Sequence, residues 1–229
     1  MLLSFDGGGW MYPFCFGVAA FVQENMQLDN FTFAGVSCGA CAAAALSLGI
    51  SLRPYFEDAI NVYDYARCNP FQMSTALKDV FIKHAPDDST PYTQSNRKLH
   101  IGVSSGNWMF CRKRPEIISN FINREHTIEC IRASAHLPFF AGVRGYAVND
   151  SLYFDGGCTM DFADEYMDTD RVIRVSPWRE SGEMMIGSDR KFPPLWSYFP
   201  PSKDTLKSIF ELGFQKAKLY FNEKLLSFD

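Results

Sequence analysis

The chain opens with Met1-Leu2-Leu3-Ser4-Phe5, apolar but for one serine, and turns abruptly into Asp6-Gly7-Gly8-Gly9. A short apolar run stopped by glycines reads as a buried strand entering a loop. Pro13 suits a first helical turn, and Val18, Phe21, Val22 and Met26 recur at helical spacing until the polar stretch 27–30. Residues 31–35 form a second apolar run and 38–48 the helix behind it, with Gly49 as its C-terminal stop. This β-α-β-α order predicts a mainly parallel sheet with helices on its faces.

Further on, the periodicity predicts helices over 53–67 and 74–84, the second with Ser74 at its N-cap, and a surface loop over the Pro-, Asp- and Ser-rich stretch 85–96. Two consecutive strands, 99–104 and 108–111, are expected around the Ser105-Gly106-Asn107 turn. Short helices are expected over 116–123 and 127–135. After them, a turn at Asn149-Asp150 precedes a strand that leads into Asp155-Gly156-Gly157, and 171–175 reads as another strand. A proline and aromatic loop fills 191–201. Leu206, Ile209, Phe210, Gly213, Ala217, Tyr220 and Phe221 then mark one face of a terminal helix, which suits docking on the sheet or, alternatively, contact with lipid.

Composition narrows the class. The 229 residues fit one domain, with 181–229 as its aromatic loop and terminal helix, and 47% hydrophobic with 21% charged residues is ordinary for a globular protein. Phenylalanine is the unusual item, with 21 copies, which suits a large core or an apolar groove. A net charge of −4 argues against a nucleic-acid partner, and Arg112-Lys113-Arg114 reads as a solvated turn or strand end. Seven cysteines without disulfide-framework spacing suit a reducing, cytoplasmic setting, and the N-terminus lacks the basic start of a signal peptide. Residues 31–52 are uncharged but rich in glycine, serine and alanine. They fit a buried helix better than a transmembrane segment.

Gly35-Val36-Ser37-Cys38-Gly39 places a serine between two glycines at a strand-to-helix junction, the pattern of a nucleophile elbow. A serine hydroxyl needs a base to take its proton and donors to hold the oxyanion that follows. Gly7, Gly8 and Gly9 can supply backbone N–H groups, helped by the positive end of the helix starting near Cys38. The base is harder to choose. An α/β-hydrolase triad runs Ser, acid, His; here the histidines are His84, His100, His126 and His136, and none follows Asp155. A pair such as Asp79 with His100 fits the order but nothing local singles it out. Asp155 ends a strand before two glycines, which suits either a plain Asp-Gly turn or a carboxylate that accepts the serine proton directly. Cys38-Gly39-Ala40-Cys41 also fits a redox dithiol at a helix N-terminus.

Taken together, Ser4-Phe5-Asp6-Gly7-Gly8-Gly9, Gly35-Val36-Ser37-Cys38-Gly39 and Asp155-Gly156-Gly157 resemble, in order and rough spacing, the motifs of the patatin-like phospholipases. The stretch 132–140 is similar to the family's Ala-Ser-x-x-x-Pro segment, and 174–178 to a strand of its adiponutrin-type branch. The resemblance covers about residues 1–180. It implies a three-layer α/β/α fold, Ser37 as nucleophile, Asp155 as base and the Gly7 to Gly9 loop as oxyanion hole, with Gly35, Cys38, Gly39, Gly156 and Gly157 as supporting motif positions. It further implies ester hydrolysis of phospholipids or neutral glycerolipids through an acyl-enzyme at a membrane or droplet surface, with no cofactor and no metal. The chain departs from the pattern at Met11 and Tyr12, where many members carry Arg or Lys and then Gly, and at Asp161-Phe162-Ala163, where the family often has Asn-x-Pro. These departures keep a catalytically impaired lipid-binding or interaction protein of the same fold as an alternative.

Overall fold

The N-terminal pattern folds as predicted, into strand β1 (Leu2–Phe5), helix α1 (Tyr12–Asn25), strand β2 (Thr32–Val36) and helix α2 (Cys38–Ser47). The computed structural model describes residues 1–69, 73–96, 98–107, 112–142 and 144–226. β1 lies at the centre of the sheet, with β2 on one side and β7 (Val172–Ser176) on the other, both parallel to it. Following hydrogen-bonded neighbours, the strands run β5 (Tyr146–Val148), β6 (Ser151–Asp155), β3 (Leu99–Asn107), β2, β1, β7 and β8 (Met185–Gly187), with β4 (Arg112–Ile118) paired to β3 off that path. Strand β3 is parallel to β2, whereas β4, β5 and β6 join antiparallel.

Alternation along the strands sorts the core into two faces. Leu3, Phe5, Phe33, Ile101 and Val175 join the large core built with the helices. Leu2, Ala34 and Val36 face the other way, onto Met160 and Ala163 in the stretch of short 3-10 turns and connecting loop that follows β6. The central sheet is thus flanked on both faces, in the expected three-layer arrangement, but the layers are unequal. Long helices cover one face and helical turns the other.

The last helix, α8 (Lys203–Leu226), buries its predicted face, including Leu206, Ile209, Phe210 and Phe221. It docks chiefly on α1. Two glycines make that crossing close: a Cβ on Gly17 would lie 1.9 Å from the Phe210 carbonyl oxygen, and one on Gly213 would lie 2.2 Å from that of Phe14. The apolar stripe is therefore occupied within the protein.

Several boundaries differ from the sequence expectation. The single helix expected over 53–67 is two, α3 (Leu52–Asn61) and α4 (Tyr63–Cys68), broken at Val62. Helix α5 spans Met73–His84, so Ser74 lies inside its first turn rather than at the cap. The expected surface loop 85–96 contains helix α6 (Thr90–Gln94), because Tyr92 is fully buried and its hydroxyl donates to the Pro86 carbonyl at 2.7 Å. Residues 116–118, expected as helix, pair with β3 as the end of β4; Ile118 stands opposite Ile101. The following helix, α7 (Arg124–Ser134), starts earlier because Asn123 caps it, its side chain accepting from the His126 N–H at 2.9 Å. The strand expected at 108–111 lies outside the described residues.

Candidate active site

The site is built on one edge of β3. Residues Ile101 to Asn107 pair with β4 on one edge, so β2 and β6 must share the other. β2 occupies it up to Val36, opposite Gly102. There the chain turns away at Ser37, and β6 arrives from the opposite direction to pair its last residue, Asp155, with Val103. Two residues 118 apart in sequence therefore meet at the end of one strand and the end of another, and the Ser37 Oγ–H donates to Asp155 Oδ2 at 2.7 Å.

The elbow is strained and enforced by close packing. Ser37 has φ 54° and ψ −125°, a conformation that a non-glycine residue keeps only when its surroundings hold it there. Its backbone N–H donates to Ser134 Oγ at 2.9 Å, and that hydroxyl donates in turn to the Gly102 carbonyl at 2.7 Å. Gly35 and Gly39 let strand and helix cross: a Cβ on Gly35 would lie 2.3 Å from the Gly39 carbonyl oxygen.

Asp155 is buried, and its second oxygen, Oδ1, accepts the Gly157 N–H at 2.8 Å. Desolvation raises its pKa to about 6, against the lowering effects of the Ser37 hydroxyl, the Gly157 N–H and Lys113. It is thus largely ionised at neutral pH while remaining a better proton acceptor than an exposed carboxylate. Backbone bonds fix it from behind: the Asp155 N–H donates to the His136 carbonyl at 3.0 Å, and Ser104 Oγ donates to the Asp155 carbonyl at 2.8 Å.

The glycine loop lies beside the serine. A Cβ on Gly7 would sit 3.2 Å from Ser37 Cβ, so loop and serine are in contact. β7 braces the loop. Ser176 Oγ donates to Asp6 Oδ2 at 2.6 Å, the Trp178 N–H donates to Ser176 Oγ at 3.2 Å, and Trp178 Nε1 donates to the Gly7 carbonyl at 3.2 Å. Burial raises the Asp6 pKa to about 7, although the Ser176 bond opposes it. The sequence placed Trp178 only in a strand resemblance; its indole N–H on the loop became visible with the fold.

Both the loop and the Ser37–Asp155 pair open into a cavity of about 630 Å³. Its walls are mostly apolar and aromatic, among them Phe16, Tyr55, Phe81 and Ile131. Tyr12, one of the two departures, is part of that wall and stacks edge-on with Phe16 at 5.2 Å between centroids. Met11, the other, is fully buried. Gly156 and Gly157 continue from Asp155 into a 3-10 turn beside the cavity.

The other candidates are placed elsewhere or differ chemically. His84 pairs with Asp58 at 2.6 Å, His126 with Asn149 at 2.9 Å, and His136 Nε2 with the Arg144 carbonyl at 2.7 Å. Asp79 is exposed on α5. Cys38 and Cys41 both line the cavity as free thiols, and burial pushes Cys41 up to about 11 and Cys38 well above the ordinary thiol range. A dithiol site requires the opposite shift. Among the described residues no cluster of His, Cys, Asp and Glu could hold a metal ion.

A serine on a strained elbow at the carboxyl edge of a parallel sheet, bonded to a carboxylate and opening onto an apolar cavity, is a layout suited to acyl-ester chemistry. Comparison with known proteins gives the family. The sequence profile of the patatin-like phospholipases matches residues 3–164. The chain belongs to that family. It is 22% identical over 244 residues to human patatin-like phospholipase domain-containing protein 4, covering 93% of this chain and 92% of that one. Among solved structures it is similar in fold to VipD from Legionella pneumophila, with TM-score 0.53 and 12% identity over 96% of this chain and 66% of that chain. It is also similar to the ExoU-SpcU complex of the Pseudomonas aeruginosa type III secretion system, with TM-score 0.52 and 12% identity over 99% of this chain and 52% of the matched chain. This chain thus spans between half and two thirds of those structures. Among the described residues no helix is long and apolar enough to cross a membrane.

Proposed function

We propose that this protein is a lipid acyl hydrolase that cleaves carboxylic esters of phospholipids or neutral glycerolipids with a Ser37–Asp155 dyad, as one catalytic domain working at the edge of a lipid phase. Asp155 takes the hydroxyl proton as Ser37 Oγ bonds to the ester carbonyl carbon. The Gly7 to Gly9 amides, with the N-terminus of α2, hold the oxyanion. The C–O bond to the alcohol then breaks, and Asp155 returns the proton to the departing oxygen. Water adds to the acyl-enzyme by the same route in reverse, with Asp155 as base, and releases the free acid. The acyl chain lies in the cavity, and no cofactor or metal enters the scheme.

One observation carries the reading: the 2.7 Å bond between Ser37 Oγ and Asp155 Oδ2 at the mouth of an apolar cavity. The runner-up, an impaired lipid-binding protein, is favoured by Met11, which leaves no side-chain cation at the position where many relatives carry one. A long-chain ester assay separates the two. Wild type should release acid, Ser37→Ala and Asp155→Asn should not, and the Cys38→Ser, Cys41→Ser double variant should retain turnover. Full activity in Ser37→Ala would sink the mechanism, loss confined to the cysteine variant would point to dithiol chemistry, and an inactive wild type that still binds lipid would favour the runner-up.

A further inference from the structure

Two segments that are distant in sequence meet over the cavity mouth and leave large apolar side chains in solvent. One is the turn 137–142, with Phe139 57% exposed; the other is the loop 194–199, with Leu195 65% and Phe199 61% exposed. They touch through rings: Phe140 lies 5.2 Å from Tyr198 and 6.3 Å from Phe199, centroid to centroid. Leu137, Phe140, Ser197 and Tyr198 line the cavity just below. Positions 192–201 carry no charged residue at all, between Lys191 and Lys203.

Phe139 is the informative residue. It has φ 71°, a left-handed conformation costly for a bulky side chain, and its N–H is pinned to the Gly142 carbonyl at 3.0 Å. The turn thus holds this side chain where more than half of it is exposed. Each segment is also attached to the reaction centre. The carbonyl of His136, which begins the turn, accepts the Asp155 N–H. The loop sits on Gly9, where an added Cβ would lie 2.0 Å from the Ser197 carbonyl oxygen.

We propose that Phe139, Leu195 and Phe199 form one docking rim that inserts into a lipid surface, so that an acyl chain passes from that surface between the two segments to Ser37. This rests on the reading of the protein as a lipid acyl hydrolase. The occupant follows from place and chemistry: the rim residues lie on the two segments that line the apolar cavity beside its entrance, the segments 137–142 and 192–201 carry no charge, and Lys191 precedes the longer loop, where it would meet lipid headgroups. A protein partner would cover the entrance, whereas a lipid surface supplies what enters it.

The test is flotation of the full chain with phosphatidylcholine vesicles, alongside Phe139→Ser, Leu195→Ser, Phe199→Ser and the triple variant, each checked by circular dichroism and thermal melting. Each single substitution should weaken partitioning about tenfold (~1.4 kcal/mol), and the triple should abolish it. Ser37→Ala should float like wild type, which separates docking from catalysis: turnover retained in Ser37→Ala would remove the hydrolase mechanism and leave the rim standing. Should the serine variants unfold, Phe139→Trp gives a second measurement, since brominated phosphatidylcholine should quench its added emission. A triple variant that floats normally, no added quenching in Phe139→Trp, or a wild-type dimer in light scattering that the triple variant dissolves would each overturn the proposal.

Discussion

Replacing Asp155 by asparagine should make the protein more stable and nearly inactive at the same pH. The carboxyl is raised from 3.8 to about 6 by burial, a shift of about 2 pH units, or ~3 kcal/mol between the two protonation states. The sign follows from linkage. Below pH 3.8 folded and unfolded chains both hold the proton, and burial of the neutral acid carries no charge penalty. Between 3.8 and about 6 the folded chain keeps a proton that the unfolded chain has lost, so stability falls as pH rises; above that window the full cost of the buried anion is present. Asparagine never ionises. Its Oδ1 can still accept the Gly157 N–H, and its amide can donate to Ser37 Oγ with the hydroxyl rotated.

The gain of Asp155→Asn over wild type should therefore be small near pH 4 and reach about 1–3 kcal/mol at pH 8. Asp6, also raised, is present in both proteins and cancels in the difference. Urea unfolding at several pH values measures it. In parallel, wild-type kcat/KM should rise through about pH 6 and level off, while the variant loses on the order of 10²- to 10⁴-fold. A stability difference that is the same at pH 4 and pH 8, or a variant less stable throughout, would refute the claim that the site holds a destabilised anion.

Two further outcomes follow from close contacts. Gly17→Ala should cost about 3 kcal/mol or more, because its Cβ would meet the Phe210 carbonyl oxygen at 1.9 Å and force α1 and α8 apart; thermal melting reads it, and an unchanged melting temperature would mean the crossing is looser than described. Trp178→Phe removes the indole N–H from the Gly7 carbonyl while keeping most of the ring, so kcat should fall about tenfold with KM little changed; an equal rise in KM would assign Trp178 to substrate binding instead.

The first fifty residues were legible because each signal was local. The apolar run before Asp6, the glycines around Ser37 and the stop at Gly49 act on their own neighbours, and the structure places them as read. What was lost depended on partners far away. Glu116 to Ile118 look helical alone, yet β3 offers them an edge and the pairing wins. Tyr92 sits in a stretch as polar as any loop, but its ring is buried and its hydroxyl is held by Pro86. The residues themselves left Asp155 open between a plain Asp-Gly turn, the commoner reading, and a carboxylate partner for Ser37; the family motifs chose between the two. The outward Phe139 left no trace in sequence either, since nothing in Leu137-Pro138-Phe139-Phe140 announces a positive φ.

Under the proposed mechanism no histidine is needed between serine and acid, and the sheet gives a reason. In a triad the imidazole bridges a gap, because nucleophile and carboxylate arrive on elements that are not adjacent. Here β2 and β6 follow one another along the same edge of β3, so the ladder itself sets Ser37 and Asp155 within one hydrogen bond. Register is then decisive, because a slip of one residue would turn the Asp155 side chain to the opposite face. The glycine after Asp155 belongs to the same constraint. A Cβ on Gly156 would lie 2.3 Å from the Gly102 carbonyl oxygen, so any side chain there would push β6 off the edge of β3. The first glycine of Asp155-Gly156-Gly157 is thus a requirement of strand packing and the second supplies the N–H that holds the carboxylate, which makes the tripeptide one device for bringing a carboxylate to the elbow.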